Sequence, residues 1–145
     1  MDNFFDTAER VYQSAKTLHD NEEFHNACYL SGYVVECYAK LIIQQAYSTD
    51  SKDIKISFGH NLKEMNKELK YLLNDSSIHG LIPHKYFIQF QTTCPTVLQG
   101  HKKWNPIKRY STKSKAWLEA DSQKYQTEIL AVWTKILEMK LDGLI

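Results

Sequence analysis

The side chains whose spacing would betray a metal, redox or ribonuclease site are few: six histidines, three cysteines and two arginines. His19, His25, His60, His79, His84 and His101 never recur at the i, i+4 spacing that sets two imidazoles on one helix face, and His79 and His84 are separated by Gly-Leu-Ile-Pro. No Cys-x-x-Cys pair exists either, so no metal site is expected. No glycine-rich phosphate loop is present, and no cofactor is expected. Cys28 and Cys37 lie nine residues apart on one expected helix. At 1.5 Å and about 100° per residue they face opposite ways, roughly 13 Å apart along the axis, too far to bridge. With Cys94 they read as small buried hydrophobes.

The charge is unevenly placed. All 17 acidic residues fall before Ser76 or after Leu118, whereas the stretch between holds Lys85, Lys102, Lys103, Lys108, Arg109, Lys113 and Lys115. That segment is net +7 inside a chain of net +1. Trp104 and Tyr110 are interleaved with the cations. Lysines neutralise phosphates and an exposed aromatic stacks on an unpaired base, so Lys102, Lys103, Trp104, Lys108 and Lys113 form a candidate nucleic-acid or nucleotide site. Two other readings stand beside it. The aromatics can plug the end of a helical core with the lysines as ordinary solvated surface, or the segment can meet an acidic protein.

A carboxylate in the most apolar stretch, "HNACYLSGYVVECYAKLIIQQAY", is the second feature. Glu36 stands among Val34, Val35, Cys37 and Tyr38, with Lys40 one turn on. A surface Glu–Lys pair at this spacing contributes only about 0.3–0.5 kcal/mol. The apolar crowding predicts burial instead, and a buried carboxylate needs a partner or it neutralises. Arg109 is the expected partner, because guanidinium binds carboxylate through two parallel hydrogen bonds.

The elements that must position these groups are helices. Phe5, Ala8, Val11, Tyr12, Ala15 and Leu18 recur at helical spacing within residues 2–18. Asp20, with Glu23 three residues on, is the expected cap of a second helix reaching from about Asn21 to Tyr47. Small residues on it, Gly32 among them, predict a close neighbour. "STDSKDIKISFG" is a polar connection, and Asn61 caps a third helix that should stop near Asp75. Over residues 76–110 "KYFIQFQTT" can be a short strand or a helix broken before Pro95; a lone strand would find no sheet partner, so short helical pieces are expected, with a turn at Pro106. A final helix is expected from about Ser114 to Leu141, with Gly143 as its stop. The fold class is all-α: an antiparallel up-and-down four-helix bundle with an irregular, partly helical insert before the last helix, in one domain over 1–145. No run of about 18 apolar residues exists, and the acidic amphipathic start lacks the features of a signal peptide. A cytoplasmic protein without membrane association is therefore expected.

Three stretches resemble the HEPN domain superfamily. "ACYLSGYVVECYAK" is similar to the small-residue A-x-x-L-x-G-x-x-x-E run of its second helix, through Ala27, Leu30, Gly32 and Glu36 with Lys40 beyond. "GHNL" looks like the H-x-L entry to the next helix, through His60 and Leu62, and "WNPIKRY" looks like the W-x-P-x-x-R-Y segment before the last. The resemblance implies a helical bundle, a homodimer, and partnership with a small nucleotidyltransferase or with nucleic acid. Trp117, Tyr125 and Trp133 exceed what one helix face needs, which fits a dimer. Many HEPN proteins are ribonucleases with an arginine followed, after four to six intervening residues, by a histidine. No histidine follows Arg109, and His19 follows Arg10 too late and in the wrong helix. Catalytic residues are therefore not assigned. The expected role is a non-catalytic binding module. A divergent metal-independent ribonuclease using His101 and Arg109 in reversed order, and a purely structural oligomerisation module, are the alternatives.

Overall fold

The computed structural model describes residues 3–48 and 57–145. Among these the chain is all-α, with no strand. Three helices precede the irregular segment: α1 (Phe4–Asp20), α2 (Phe24–Tyr47) and α3 (Leu62–Leu73). Within that segment lie two single-turn helices, α4 (Phe90–Thr93) and α5 (Pro95–Leu98), and three 3-10 turns at His84–Tyr86, Pro106–Tyr110 and Lys113–Lys115. The last helix is α6 (Glu119–Leu141). The polar connection expected at 48–59 lies, apart from its ends, outside the described residues.

The centre of the molecule is α2. Fifteen of its 24 residues are buried, on every side, because α1, α3, α6 and the 106–110 turn all pack against it. A helix apolar all round is what such a position requires. Its start differs from expectation. Asp20 belongs to α1, which runs on until Glu22 takes a left-handed φ of 63° and Glu23 N–H closes on the Leu18 carbonyl at 2.8 Å. Glu23 occupies the cap position of α2 without a side-chain bond. At α3 the expectation holds: Asn61 Oδ1 accepts the Glu64 N–H at 3.1 Å.

The last helix starts five residues later than Ser114. Trp117 explains why. Its indole N–H donates to the Lys102 carbonyl at 2.8 Å and its backbone N–H to His25 Nδ1 at 3.1 Å, with the ring buried. Extended backbone at Ala116 and Leu118 delivers the ring inward, and α6 begins only afterwards, with the Asp121 carboxylate accepting the Leu118 N–H. Leu118 itself is exposed. Trp117, Tyr125 and Trp133 are all buried within the chain, so they leave no spare apolar surface for a partner.

The irregular segment closes its short turns with its own backbone hydrogen bonds and is tied to the bundle by helix side chains. Tyr38 hydroxyl donates to the Tyr86 carbonyl at 2.6 Å and accepts the Ile88 N–H at 2.9 Å. Buried Glu128 accepts the Thr96 and Val97 N–H groups at 2.8 and 3.1 Å, capping α5 from another helix. Buried polar backbone needs such partners, and no sheet supplies them here. Breaks fall where proline dictates: α4 stops before Pro95, and Pro106 opens a 3-10 turn at a position where its missing N–H costs nothing.

Candidate functional site

Glu36 is buried, as its surroundings in the sequence imply, but Arg109 is not its partner. Lys40 Nζ donates to Glu36 Oε1 at 2.7 Å, and His60 Nδ1 lies 2.9 Å from Oε2. The Lys40 and Glu36 side chains are 3% and 6% exposed, so both ions have left water together. Arg109 lies with its guanidinium 5.2 Å from the Tyr29 ring centroid and 5.9 Å from that of Tyr110. The Glu36–Arg109 pair is thus replaced by two partners, for a simple reason. The i+4 lysine reaches the carboxylate from the same helix without the entropy of closing a loop of some 70 residues, and the turn before α3 brings His60 to the remaining oxygen.

Trp104 is also placed differently from expectation. It is buried, with its indole N–H on the Tyr29 carbonyl at 2.8 Å and its ring over Gly32. A β-carbon on Gly32 would lie 2.0 Å from the ring, so only glycine admits the indole there. Trp104 is therefore a plug and not a platform for a base. Tyr33 bridges the two features, edge-on to Trp104 at 4.9 Å and to His60 at 5.5 Å. Gly32 and Glu36, His60, and Trp104 and Arg109 belong to three separate stretches of sequence, and all meet on one face of α2.

The lysines divide into two groups. Lys102 Nζ donates to the Ala116 carbonyl at 2.7 Å and lies 3.2 Å from Asp121 Oδ2. Lys108 Nζ donates to the His101 carbonyl at 3.1 Å and sits 4.8 Å from the Trp117 ring centroid. Burial, and then the neighbouring Lys102 charge, hold the Lys108 ammonium below its usual range. These two amines fasten the segment to itself. Lys103 and Lys113 are exposed, as are Arg109, Lys115 and Tyr110, the last at 83%.

A second row of cations escaped the reading of the sequence. Lys63, Lys67 and Lys70 stand on α3 at spacings of four and three, which places them on one face over about 10 Å. They form one wall of a cleft of about 670 Å³, and Lys103, Asn105 and Ile107 form the other. One of them, Lys67, is also paired with Glu64 at 3.0 Å. The helical spacing of these lysines was visible; what it faced was not. Beyond Lys103 and Asn105 a shallower hollow of about 380 Å³ continues toward Lys108 and Lys115. Such a path suits a polyanion: cations on both walls and amide side chains at Asn66, Gln91 and Gln99. Tyr110, next to Arg109 in the chain, presents an exposed phenol.

Among the described residues no three histidine, cysteine, aspartate or glutamate side chains gather to hold a metal ion. No helix among them is long and apolar enough to cross a membrane. No family model matches the chain, and no curated protein or solved structure was found to be similar to it.

Proposed function

We propose that this chain is a HEPN-like binding module, an antiparallel four-helix bundle with an irregular insert, that grips the phosphate backbone of a single-stranded nucleic acid. The observation that carries the reading is the cleft with lysines on both walls, Lys63, Lys67 and Lys70 facing Lys103, opening onto an insert that contains no acidic residue. The family part of the reading draws support from the meeting of the three resembling stretches at Gly32, Glu36, His60 and Trp104. From the resemblance it also takes action as a homodimer and beside a nucleotidyltransferase; the cytoplasm is its proposed place because the chain shows neither a signal-peptide pattern nor a run of about 18 apolar residues. A binding role is preferred to ribonuclease chemistry because the order of arginine and histidine departs from the family's pattern, and because Arg109 faces Tyr29 and Tyr110.

The test is fluorescence anisotropy of a labelled single-stranded RNA at several salt concentrations. The expected log–log slope is about −0.7 per phosphate contacted. Lys103→Ala and Lys70→Ala should each shrink it without changing sequence preference. Tyr110→Ala should weaken binding at every salt concentration, by roughly 1–3 kcal/mol if a base rests on the phenol. Absence of binding at micromolar folded protein refutes the proposal and leaves the lysines as solvated surface. Light scattering that shows only monomer at tens of micromolar would remove the dimer.

A further inference from the structure

We propose that His79, His84 and the Leu73 carbonyl form a binding site for a divalent first-row transition-metal ion, at the far end of α3 from the Glu36 cluster. The loop after α3 folds back on Ile78 and Ile82, both buried, with Ile82 N–H on the Ile78 carbonyl at 2.8 Å. Pro83 then turns the chain outward. The two histidines, five residues apart in an irregular loop, come to lie with Nε2 atoms 2.8 Å apart and rings nearly perpendicular, at 84°. His79 Nε2 is also 2.9 Å from the Leu73 carbonyl oxygen, which belongs to the last residue of α3.

Protons do not satisfy this arrangement well. A neutral imidazole nitrogen carries either one hydrogen or one lone pair. If His79 Nε2 donates to Leu73, it has no lone pair to accept from His84. If it accepts from His84, its lone pair faces the carbonyl oxygen. Only a strained three-centre bond shared between both neighbours uses one proton for two contacts. A cation resolves the conflict, because all three atoms then offer lone pairs to one centre. The negative end of the α3 dipole adds to its stabilisation.

The distance selects the ion. With metal–nitrogen bonds of about 2.0–2.1 Å, two nitrogens 2.8 Å apart subtend about 85–90° at the metal. A tetrahedral ion would need them about 3.3 Å apart. Right-angled coordination by imidazole nitrogen and carbonyl oxygen is the preference of Ni²⁺ and Cu²⁺. Water would complete the shell, since His84 is exposed. Such an ion would tie the 74–84 loop to the end of α3. This inference is independent of the nucleic-acid reading and stands or falls separately.

Calorimetric titration of the tag-free, chelator-treated chain with Ni²⁺ at neutral pH tests it. One ion per chain is expected. His79→Ala and His84→Ala should each weaken binding by more than the roughly 10–100-fold that loss of a mere supporting hydrogen bond costs, whereas His101→Ala should not. The exposed position of His84 keeps the second variant folded even if the first is perturbed, and circular dichroism checks both. Loaded with Cu²⁺, the chain should show two nitrogen couplings by electron paramagnetic resonance. No binding at micromolar protein, binding that survives both substitutions, or a single nitrogen coupling would overturn the site and leave the histidines sharing a proton.

Discussion

Gly32→Ala should destabilise the protein, although alanine is the better helix former by about 1 kcal/mol. The new β-carbon would stand 2.0 Å from Trp104 Cδ2 and Cε2. Carbon atoms rest at about 3.5–4.0 Å, so the indole must retreat by roughly 1.5 Å or more. That retreat takes its N–H, now 2.8 Å from the Tyr29 carbonyl, beyond hydrogen-bonding range, at about 1 kcal/mol. Overpacking adds about 1–3 kcal/mol. After the gain in propensity, a net loss of about 1–3 kcal/mol remains. The ceiling is the about 3–5 kcal/mol of removing a buried tryptophan altogether. The stronger test is the sign. In a Trp104→Ala background the obstruction is gone, and Gly32→Ala should stabilise by up to about 1 kcal/mol. Urea denaturation of the four proteins, followed by far-UV circular dichroism at constant m-value, gives the cycle directly. A stabilising Gly32→Ala in the wild-type background, or additive effects in the double variant, would show that Trp104 does not rest on Gly32.

Glu36→Ala strands the Lys40 ammonium in a dry site and should cost about 3–5 kcal/mol, while Glu36→Leu with Lys40→Met should recover most of the loss; a single variant as stable as wild type in urea would contradict the pairing. Arg109→Ala should cost only about 0.5–1 kcal/mol, the scale of an exposed cation on an aromatic face, and a loss of several kcal/mol would show that Arg109 has another, buried partner. Burial pushes the Cys28 and Cys37 thiols up to about 12 and raises that of Cys94 as well. None should react with a disulfide reagent at pH 8 until the chain is unfolded, and a fast-reacting thiol in the native protein would refute this. The same shifts fix a sign. The protonated thiol is favoured in the fold, so this share of stability is intact below the unfolded thiol value of about 8.5 and is lost as pH rises from there toward about 12. An alkaline limb in the denaturation midpoint that begins near pH 8.5 is the expected result, and in a triple Cys→Ala variant it should begin only above about pH 10, where the Tyr38 and Tyr125 phenols, also raised by burial, take over.

Periodicity revealed the four long helices because each has an uninterrupted apolar stripe, and α3 carried its own start signal in Asn61. The ends of α2 and α6 were harder to place. Asp20 has the right residue type for a cap, but whether it caps α2 or closes α1 depends on Glu22 adopting a left-handed φ, which no local signal announces. Ser114 looks helical until Trp117 needs extended backbone to reach Lys102 and His25. At the site, composition was enough to bury Glu36 and to mark the acid-free segment. It did not give partners. Lys40 was in plain view one turn away but read as a surface residue. Joining His60 to Glu36, Trp104 to Gly32, or the α3 lysines to Lys103 requires knowing how segments some 24 to 72 residues apart cross. The histidines at 79 and 84 converge through a loop, where no periodicity exists to be read.

The dependence of the insert on groups of other helices has a kinetic meaning. The Tyr38 hydroxyl, the Glu128 carboxylate and the Tyr29 main-chain carbonyl hydrogen-bond to residues 31 to 75 positions away. The local structure of residues 84–117 consists of single turns, each too short to persist alone, so the segment can settle only once α2 and α6 have met. Long-range closure of this kind comes late in folding and is first to open in sub-global fluctuations. Amide exchange in this segment should be governed by an opening free energy below that of α2. A polyanion that binds only the closed form would close that gap, slowing exchange in the insert while leaving the central helix unchanged.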